Sequence, residues 1–346
     1  MKYSNIGKFV HIKKLCNDQG HLQMLAIDQR PPIFSLIKEK KKGYIYKDVV
    51  DFKKHISLSL SKYSTAILMD PVYSVPNLIP SSRSKGLIVT LEDHDFIEKG
   101  KGRYSKNIKN WSVEKIKRMG GDAVKVLAWY RPDADEKSIE HQKKYIATIG
   151  KECEKYDIPF LLELLVYPFK NEIGYSKDYK EQLNKNHNHV IDSVKEFSKA
   201  KYKVDIFKLE SPVDSSQLQN SKFTKATEDA FKELSKVTRN IPWVMLSSGM
   251  SKNSFFNCLK LAYKNGASGY LAGRTIWLDA FKDYPNYKKI ITKLNKESLS
   301  YVKKLNELTK KNALSLEKYL TQKLIQKNGA NFKTIYKGFR WLGALV

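Results

Sequence analysis

Two lysines and one glutamate of this sequence lie inside apolar runs, where a charged side chain is costly unless it is paired or functional. Lys125 occurs in "DAVKVLAW", Glu163 in "PFLLELLVY" and Lys208 in "VDIFKLE". A desolvated amine beside another cation can lose its proton and attack a carbonyl group to form a Schiff base. We therefore predict covalent carbonyl chemistry, with Lys125 and Lys208 as the two candidates for the nucleophile.

Glu163 is expected to carry protons for this chemistry. Leucines flank it on both sides, and apolar surroundings suit a carboxyl group that must gain and lose a proton near neutral pH. The two lysines are expected to favour each other's neutral form by charge repulsion. The alternative is a buried structural ion pair of lysine and glutamate, but three such residues in neighbouring runs favour a functional cluster.

Eight short apolar runs could position these side chains, and each run ends in a polar residue. They are rich in Val, Ile and Leu with little polar alternation, which is typical of strands buried on both faces of a parallel sheet. The runs cover residues 22–30, 65–70, 86–92, 122–129, 159–167, 204–210, 242–248 and 268–274. Amphipathic helical patterns separate them, as at 111–121, where Ser112 is the expected N-cap, and at 135–156 and 251–266.

This alternation predicts an α/β protein with one (β/α)8 barrel domain, a TIM barrel, over residues 1–286. A C-terminal helical extension over residues 287–346 is expected to pack on the barrel or on a neighbouring subunit, with its helical pattern running to residue 327. A doubly wound sheet is the alternative. It predicts a glycine-rich turn after the first strand, where this chain has "DQRPP".

Polar residues at the ends of the eight runs would meet at the carboxyl face of such a barrel, where active sites lie. Besides Lys125, Glu163 and Lys208 they are Asp28, Gln29, Arg30, Asp70, Glu92, Glu210, Ser247, Ser248 and Arg274. The last two runs end in the small-residue turns "LSSGMS" and "LAGR". Backbone N–H groups of such turns bind phosphate in many barrels, and a guanidinium such as Arg274 adds a charged fork.

Several of these stretches together resemble the class I tagatose 1,6-bisphosphate aldolases. They occur in the order of that family over roughly residues 11–315. The stretches are "LAIDQR" (25–30), "KGR" (101–103), "WSVEKIKRMGGDAVKVL" (111–127), "DIPFLLELLVY" (157–167), "VDIFKLESPV" (204–213), "LSSGMS" (246–251) and "AGRTIW" (272–277).

The resemblance implies a role for each candidate residue. It implies that Lys208 forms the Schiff base, that Glu163 shuttles protons, and that Lys125 and Asp28 assist. It places the binding of substrate or phosphate at Gln29, Arg30, Leu246, Ser247, Gly249, Gly273 and Arg274. The implied reaction is cleavage of a ketose 1,6-bisphosphate, such as tagatose 1,6-bisphosphate, to dihydroxyacetone phosphate and glyceraldehyde 3-phosphate, with no cofactor and no metal.

The sequence departs from the family at positions that could contact the far end of a sugar. Pro31 and Pro32 follow "DQR", "LEDHDFI" occupies residues 91–97, and "WYRPD" brings in Arg131. Two alternatives therefore stay open. One is an aldolase for a related sugar 1-phosphate with another anionic end, such as a sulfonate. The other is a non-catalytic barrel that binds sugar phosphates, although such a protein has no need for an imine-forming amine.

Composition argues against several other classes of protein. The formal net charge is +27, but only eight of the 63 basic residues are arginine and the lysines are spread along the chain, so we expect no nucleic-acid partner. No apolar run approaches the roughly 20 residues that span a membrane, and the start of the chain is too polar for a signal peptide. Three scattered cysteines indicate no disulfides. We expect a cytoplasmic homo-oligomer, a dimer or higher, that binds a small sugar phosphate.

Overall fold

The eight apolar runs all form strands that close into one parallel barrel. The computed structural model describes residues 6–78, 84, 86–175 and 186–318, and within them β10 pairs back with β1, so the sheet has no free edge. The predicted (β/α)8 TIM barrel is confirmed. The strands are β1 (Leu22–Ala26), β2 (Ala66–Met69), β3 (Gly86–Thr90), the hairpin pair β4 (Ile97–Lys99) and β5 (Gly102–Tyr104), then β6 (Ala123–Trp129), β7 (Phe160–Leu165), β8 (Ile206–Leu209), β9 (Trp243–Met245) and β10 (Gly269–Ala272).

Helices alternate with the barrel strands and cover the outside of the barrel. They are α1 (Ile6–Leu15), α2 (Pro31–Lys40), α3 (Tyr46–Leu60), α4 (Val75–Leu78), α5 (Val113–Arg118), α6 (Glu136–Lys155), α7 (His187–Phe197), α8 (Lys225–Val237), α9 (Lys252–Lys264), α10 (Arg274–Trp277), α11 (Tyr287–Lys293) and α12 (Leu299–Asn312). The three helices predicted from amphipathic patterns are α5, α6 and α9. Ser112 caps α5 as predicted, because its side chain accepts a hydrogen bond from the backbone N–H of Lys115.

Strand residues divide between two apolar layers, and this division decides where the charged side chains point. Ala123, Leu161 and Ile206 belong to the cluster that fills the barrel interior. Because successive side chains of a strand point to opposite faces, the residues two positions later share this interior face. Those residues are Lys125, Glu163 and Lys208. The neighbouring residues of each strand pack outward against the helices.

The amino end of the barrel is closed by apolar side chains. Ile12 and Leu15 of α1 join the interior cluster from one side, and Leu316 joins it from the other. Lys8 of α1 forms a buried ion pair with Asp205, with 2.7 Å between Nζ and Oδ2. This end therefore serves stability, and the opposite, carboxyl end is left for chemistry.

Closure of the barrel needs a glycine in β10. Gly269 lies opposite Leu22 in the pairing of β10 with β1. A Cβ atom at this position would lie 1.8 Å from the carbonyl oxygen of Leu22. A side chain cannot occupy that space, because real contacts between such atoms are about 3 Å or longer.

The helices after the barrel pack on it and share its main core. Between α11 and α12 the chain forms one five-residue stretch of π-helix, Leu294–Ser298, and Tyr301 and Leu305 of α12 belong to the core cluster under the barrel helices. The helical pattern was predicted to reach residue 327, but α12 ends at Asn312 because the chain turns back towards β10, where Leu314 N donates to Ala267 O. Residues 319–346 lie outside the described residues, and the division at residue 286 stays a prediction.

No helix within the described ranges is both long and apolar enough to cross a membrane.

Candidate active site

One cavity at the carboxyl end of the barrel brings the predicted residues together. Ten of the eleven candidates line it, and the eleventh, Gly249, lies beside it. The ten are Asp28, Gln29, Arg30, Lys125, Glu163, Lys208, Leu246, Ser247, Gly273 and Arg274. They come from the ends of six strands, which is the arrangement that active sites of TIM barrels share.

The carboxylate of Glu163 lies between the two lysines at the floor of this cavity. Its Oε1 is 2.9 Å from Lys208 Nζ and its Oε2 is 2.8 Å from Lys125 Nζ. Strand register explains this geometry. Glu163 of β7 is directly opposite Lys208 of β8. On its other side Glu163 is opposite Leu127 of β6, so the side chain of Lys125, two residues earlier in β6, extends towards the carboxyl end to reach it. All three side chains are buried.

Lys125 contacts three carboxylates and is held as an ammonium group. Besides Glu163, its Nζ lies 3.0 Å from Asp28 Oδ2 and 2.6 Å from Glu92 Oε1. Burial opposes the charged form, but Asp28, Glu163 and Glu92 together raise the pKa of Lys125 well above its usual value. The expectation that the two lysines depress each other's charge is therefore wrong for Lys125, because Glu163 lies between them.

The pKa values of Asp28 and Glu92 shift in opposite directions although both side chains contact the same ammonium group. Burial pushes the pKa of Asp28 up, but Lys125, Lys208 and Arg30 outweigh it and lower that pKa below its usual range. Burial raises the pKa of Glu92, and Lys125 and Arg30 offset this effect only in part. The lowered pKa of Asp28 favours its ionised form, whereas burial makes Glu92 bind a proton more readily than an exposed glutamate does.

Glu92 is a charged residue of the cavity that the candidate set missed. It follows β3 and lies on the same face as Ile88 and Thr90, which the alternation of that strand could have shown. In the sequence, Glu92 is one of many polar residues at the ends of the apolar runs. The structure adds its contact with Lys125 and its place in the cavity lining. Five apolar residues that were not predicted also line the cavity, namely Ala26, Leu127, Trp129, Leu165 and Leu271.

Two other polar residues at strand ends have structural roles instead. Asp70 pairs with the buried Lys53 and also accepts hydrogen bonds from Tyr73 N at 2.7 Å and Ser74 Oγ at 2.6 Å. Glu210 Oε1 accepts from Val166 N at 2.7 Å. Neither residue lines the cavity. Each holds the turn that follows a strand, which is a common use of a buried carboxylate.

The turns after β9 and β10 face each other across one side of the cavity. Ser248 and Gly249 have left-handed backbone conformations, with φ of 49° and 84°. The guanidinium carbon of Arg274 lies 3.6 Å from the position a Cβ would take at Gly249. A glycine therefore both adopts this turn easily and leaves room for the guanidinium. Small turns of this kind beside an arginine can bind a phosphate group.

Only some residues of the segments that depart from the family pattern reach the cavity. Pro31, Pro32 and His94 line the cavity. Arg131 does not, because its guanidinium bonds with Asp133 Oδ2 at 2.7 Å and with Glu172 Oε2 at 2.8 Å. Arg131 therefore braces surface segments and is not available to a substrate in this arrangement.

Side chains that can ligate metals lie close together in two segments of the chain. His187 and His189 begin α7, and His189 Nε2 lies 3.7 Å from Asp133 Oδ1. Among the described residues, the side chains of Asp93, His94 and Asp95 could approach one ion together. These are consecutive, partly exposed residues, and clusters of this kind are common on surfaces without a metal.

Comparison with known proteins assigns the chain to a family. A family model described as DeoC/LacD family aldolase matches residues 22–279. Tagatose 1,6-diphosphate aldolase 1 of Enterococcus faecalis is 32% identical over 324 residues, which cover 91% of this chain and 98% of that protein. Tagatose 1,6-diphosphate aldolase of Listeria innocua is 34% identical over 286 residues, which cover 80% of this chain and 83% of that protein.

Solved structures with the same fold are more distant in sequence. An archaeal fructose 1,6-bisphosphate aldolase matches with a TM-score of 0.58 at 17% identity, over 87% of this chain and 98% of that one. A fructose-bisphosphate aldolase from Plasmodium falciparum matches with a TM-score of 0.64 at 12% identity, over 89% of this chain and 95% of that one. At these identities the likeness supports the barrel fold alone.

Replacing Lys125 by methionine should destabilise the protein more as the pH rises. In the folded wild-type protein the pKa of Asp28 is lowered. The ionised carboxylate therefore stabilises the fold at pH values above the pKa that Asp28 has in the unfolded chain, and this stabilisation is lost only as the pH falls into the acid range. Without Lys125, Glu92 loses the main interaction that opposes its raised pKa, so it binds its proton more strongly when folded than when unfolded, and stability is lost as it ionises. We expect Lys125→Met to lower the free energy of unfolding by about 3–5 kcal/mol at pH 8 and by less at pH 5.

Urea denaturation at both pH values measures this effect. Lys264→Met is the matched control, because Lys264 contacts Glu228 at 2.9 Å on the surface, with its side chain 67% exposed. The control should show no pH-dependent loss. A loss for Lys125→Met that is equal at pH 5 and pH 8 would contradict the role of its ammonium group.

Proposed function

Because the chain belongs to the DeoC/LacD family of aldolases, which are carbon–carbon lyases, we propose that it cleaves a ketose 1,6-bisphosphate through a Schiff base on Lys208. Tagatose 1,6-bisphosphate is the substrate that the names of its relatives suggest, with dihydroxyacetone phosphate and glyceraldehyde 3-phosphate as products. The observation that carries this proposal is the contact of 2.9 Å between Lys208 Nζ and Glu163 Oε1 inside the cavity.

Lys208 is better suited than Lys125 to be the nucleophile. Lys125 is surrounded by three carboxylates that stabilise its charged form. Among the ion pairs of the described residues, Lys208 takes part in one, with the carboxylate of Glu163. An amine must be neutral to attack a carbonyl group, and fewer carboxylate contacts make deprotonation easier.

The turns after β9 and β10 suit the 1-phosphate of the ketose. Their backbone N–H groups and Arg274 offer several donors to one phosphate group. Strand β9 lies next to β8, where Lys208 is level with Val244. A phosphate bound near Ser247 therefore leaves C1 and the C2 carbonyl of the sugar on the side of the cavity where Lys208 lies.

The reaction then needs proton transfers close to Lys208, and Glu163 is placed to make them. The neutral amine attacks C2 to give a carbinolamine, which takes up a proton and loses water to give an iminium ion. A base removes the proton of the C4 hydroxyl, the C3–C4 bond breaks, and its electron pair moves into the iminium, leaving an enamine and an aldehyde. Protonation at C3 and hydrolysis release dihydroxyacetone phosphate and restore Lys208. Glu163 contacts Lys208 and can exchange protons at each of these steps.

Arg30 is our candidate for binding the anionic group at the far end of the sugar. Its Nη2 donates to the carbonyl oxygen of Glu92 at 3.3 Å, and its Nε has no hydrogen-bond partner within the described part of the chain. Pro31, Pro32 and His94 border the same region. A panel of ketose phosphates with a phosphate or a sulfonate at the far end would identify the substrate. A homo-oligomeric state and a cytoplasmic location remain predictions.

Borohydride reduction in the presence of dihydroxyacetone phosphate should inactivate the enzyme irreversibly. Reduction of the iminium fixes the three-carbon unit to the amine, so peptide mass mapping should find the added mass on Lys208. Lys208→Met is the control, because Glu163 keeps its contact with Lys125 in this variant, and it should gain no mass. Mass on Lys125 alone, or turnover without trapping, would refute the assignment. Activity lost to a chelator and restored by zinc would favour a metal-dependent aldolase instead.

Removing the guanidinium of Arg274 should weaken binding more than it slows the reaction of bound substrate. One charge-assisted contact is lost while the backbone donors remain, so Arg274→Ala should raise the Kd of dihydroxyacetone phosphate about ten- to a hundredfold. Arg118→Ala is the control, because the Arg118 side chain is 78% exposed on α5. If kcat collapses while KM is unchanged, Arg274 acts on the transition state and not on phosphate binding.

A further inference from the structure

Glu92 contributes a buried carboxyl group that the reaction scheme above does not use. Its Oε1 lies 2.6 Å from Lys125 Nζ, and its side chain lines the cavity. Its other oxygen, Oε2, is buried, and the side chain of Thr90 lies close enough to interact with this carboxyl group. A second carboxyl group on Lys125 is already supplied by Glu163 and a third by Asp28, so the ammonium group does not need Glu92 for its charge.

A continuous chain of polar contacts joins Glu92 to the reactive amine. It runs from Lys208 Nζ to Glu163 over 2.9 Å, from Glu163 to Lys125 Nζ over 2.8 Å, and from Lys125 Nζ to Glu92 over 2.6 Å. Each distance is that of a hydrogen bond between charged groups. A proton lost by Lys208 can therefore be balanced by one gained at Glu92 through transfers along this chain.

The charges of the cluster require such a balance when Lys208 becomes neutral. Asp28, Glu92 and Glu163 would then carry three negative charges, against one positive charge each on Lys125 and Arg30. The buried cluster would have a net charge of −1 before an anionic substrate arrives, and burying an unbalanced charge is costly. One proton on a carboxyl group makes the cluster neutral.

Among the three carboxyl groups, Glu92 is the best place for this proton. Asp28 faces Lys125, Lys208 and Arg30, which lower its pKa, and Glu163 lies between two lysines.

The other groups near Glu92 leave it better able to hold a proton. Lys125 on β6 and Arg30 after β1 act against protonation, but burial still raises the pKa of Glu92. Tyr145 on α6 also lies close enough to interact with it, and His94 follows it in the same segment. Burial and Arg30 lower the pKa of His94, which therefore adds no positive charge near neutral pH.

We propose that Glu92 stores the proton that Lys208 gives up before it attacks the substrate, and returns that proton when the carbinolamine loses water. In the first step, Lys208–NH3+ and Glu92–COO− become Lys208–NH2 and Glu92–COOH. In the second step, the carbinolamine and Glu92–COOH become the iminium ion, water and Glu92–COO−. Atoms and charges balance in both steps, and no proton needs to enter from solvent. The inference rests on the proposed Schiff-base function.

Glu92 acts through Lys125 and Glu163 rather than on the substrate, so its contribution should appear in the rate of Schiff-base formation and not in binding. Rapid-quench borohydride trapping with dihydroxyacetone phosphate measures that rate. Glu92→Gln keeps the shape of the side chain and an oxygen for Lys125 but cannot store a proton, so it should trap about a hundredfold more slowly. The Kd of dihydroxyacetone phosphate should stay within about threefold of the wild-type value, because the phosphate donors lie on β9 and β10.

Two further variants separate proton storage from a structural role. Glu92→Ala leaves a small space beside Lys125. Added formate should raise the trapping rate of this variant at least about tenfold, because formate supplies a carboxyl group in that space. Asp205→Asn is the matched control. Asp205 is another buried carboxyl group that contacts a lysine, at 2.7 Å, but at the opposite end of the barrel. It should change stability without changing the trapping rate of folded protein.

A wild-type trapping rate in Glu92→Gln would overturn the inference, as would an equal loss of rate in folded Asp205→Asn. If Glu92→Gln does not fold, Glu92→Ala decides, and a lack of recovery in formate overturns the inference. Failure of the proposed function is distinguishable, because then the wild-type protein itself gives no adduct at Lys208.

Discussion

The site depends on the position of one carboxylate, that of Glu163, between two buried lysines. Each lysine alone would be a costly charge inside a barrel, and the carboxylate that bridges them makes both tolerable. The bridge forms because β6, β7 and β8 are neighbours in the barrel and because Glu163 is level with Lys208. Strand register, closure of the barrel and the chemistry of the site are therefore linked, since a shift of one residue in β7 would turn Glu163 outward into the helix layer.

The two lysines have the same chemistry but different surroundings, and this difference assigns their roles. Three carboxylates fix Lys125 as a cation, so it can hold Asp28, Glu92 and Glu163 together against their mutual repulsion. Lys208 lies at the edge of this group, next to the cavity and to the turns that suit a phosphate. In the proposed mechanism, the barrel thus separates a structural cation, Lys125, from the reactive amine, Lys208. Its apolar lower half, closed by α1, keeps this ionic layer at the carboxyl end.

Much of the fold could be predicted from the sequence because strands buried on both faces leave a clear pattern. The eight apolar runs correspond to the eight barrel strands. Because Ile206 faces the barrel interior, the alternation within "VDIFKLE" also explains why Lys208 points inward. The end of α12 could not be predicted, because the helical pattern continues beyond Asn312. What ends the helix there is the bond between Leu314 N and Ala267 O, a distant part of the chain.

Site residues were harder to predict where partners come from other strands. Asp70 and Glu92 look alike in the sequence, as acidic residues at the ends of apolar runs. Asp70 meets Lys53 from α3, and Glu92 meets Lys125 from β6, so one is structural and the other lines the cavity. In the sequence Arg131 likewise has no visible partner, but in the fold its guanidinium pairs with Asp133 and Glu172. The role of each charged residue thus depends on its ion-pair partner from a distant part of the chain, and a single sequence does not show which residues become partners.

A crystal structure of the protein after borohydride reduction with dihydroxyacetone phosphate would test the central claim most directly, which is that Lys208 is the reactive amine and Lys125 the fixed cation. The account predicts a covalent bond from Lys208 Nζ to C2 of the three-carbon unit, with its phosphate group at the turns that contain Ser247 and Gly273. Lys125 should still contact Asp28, Glu92 and Glu163. A covalent bond to Lys125, or a phosphate group bound away from both turns, would contradict the account.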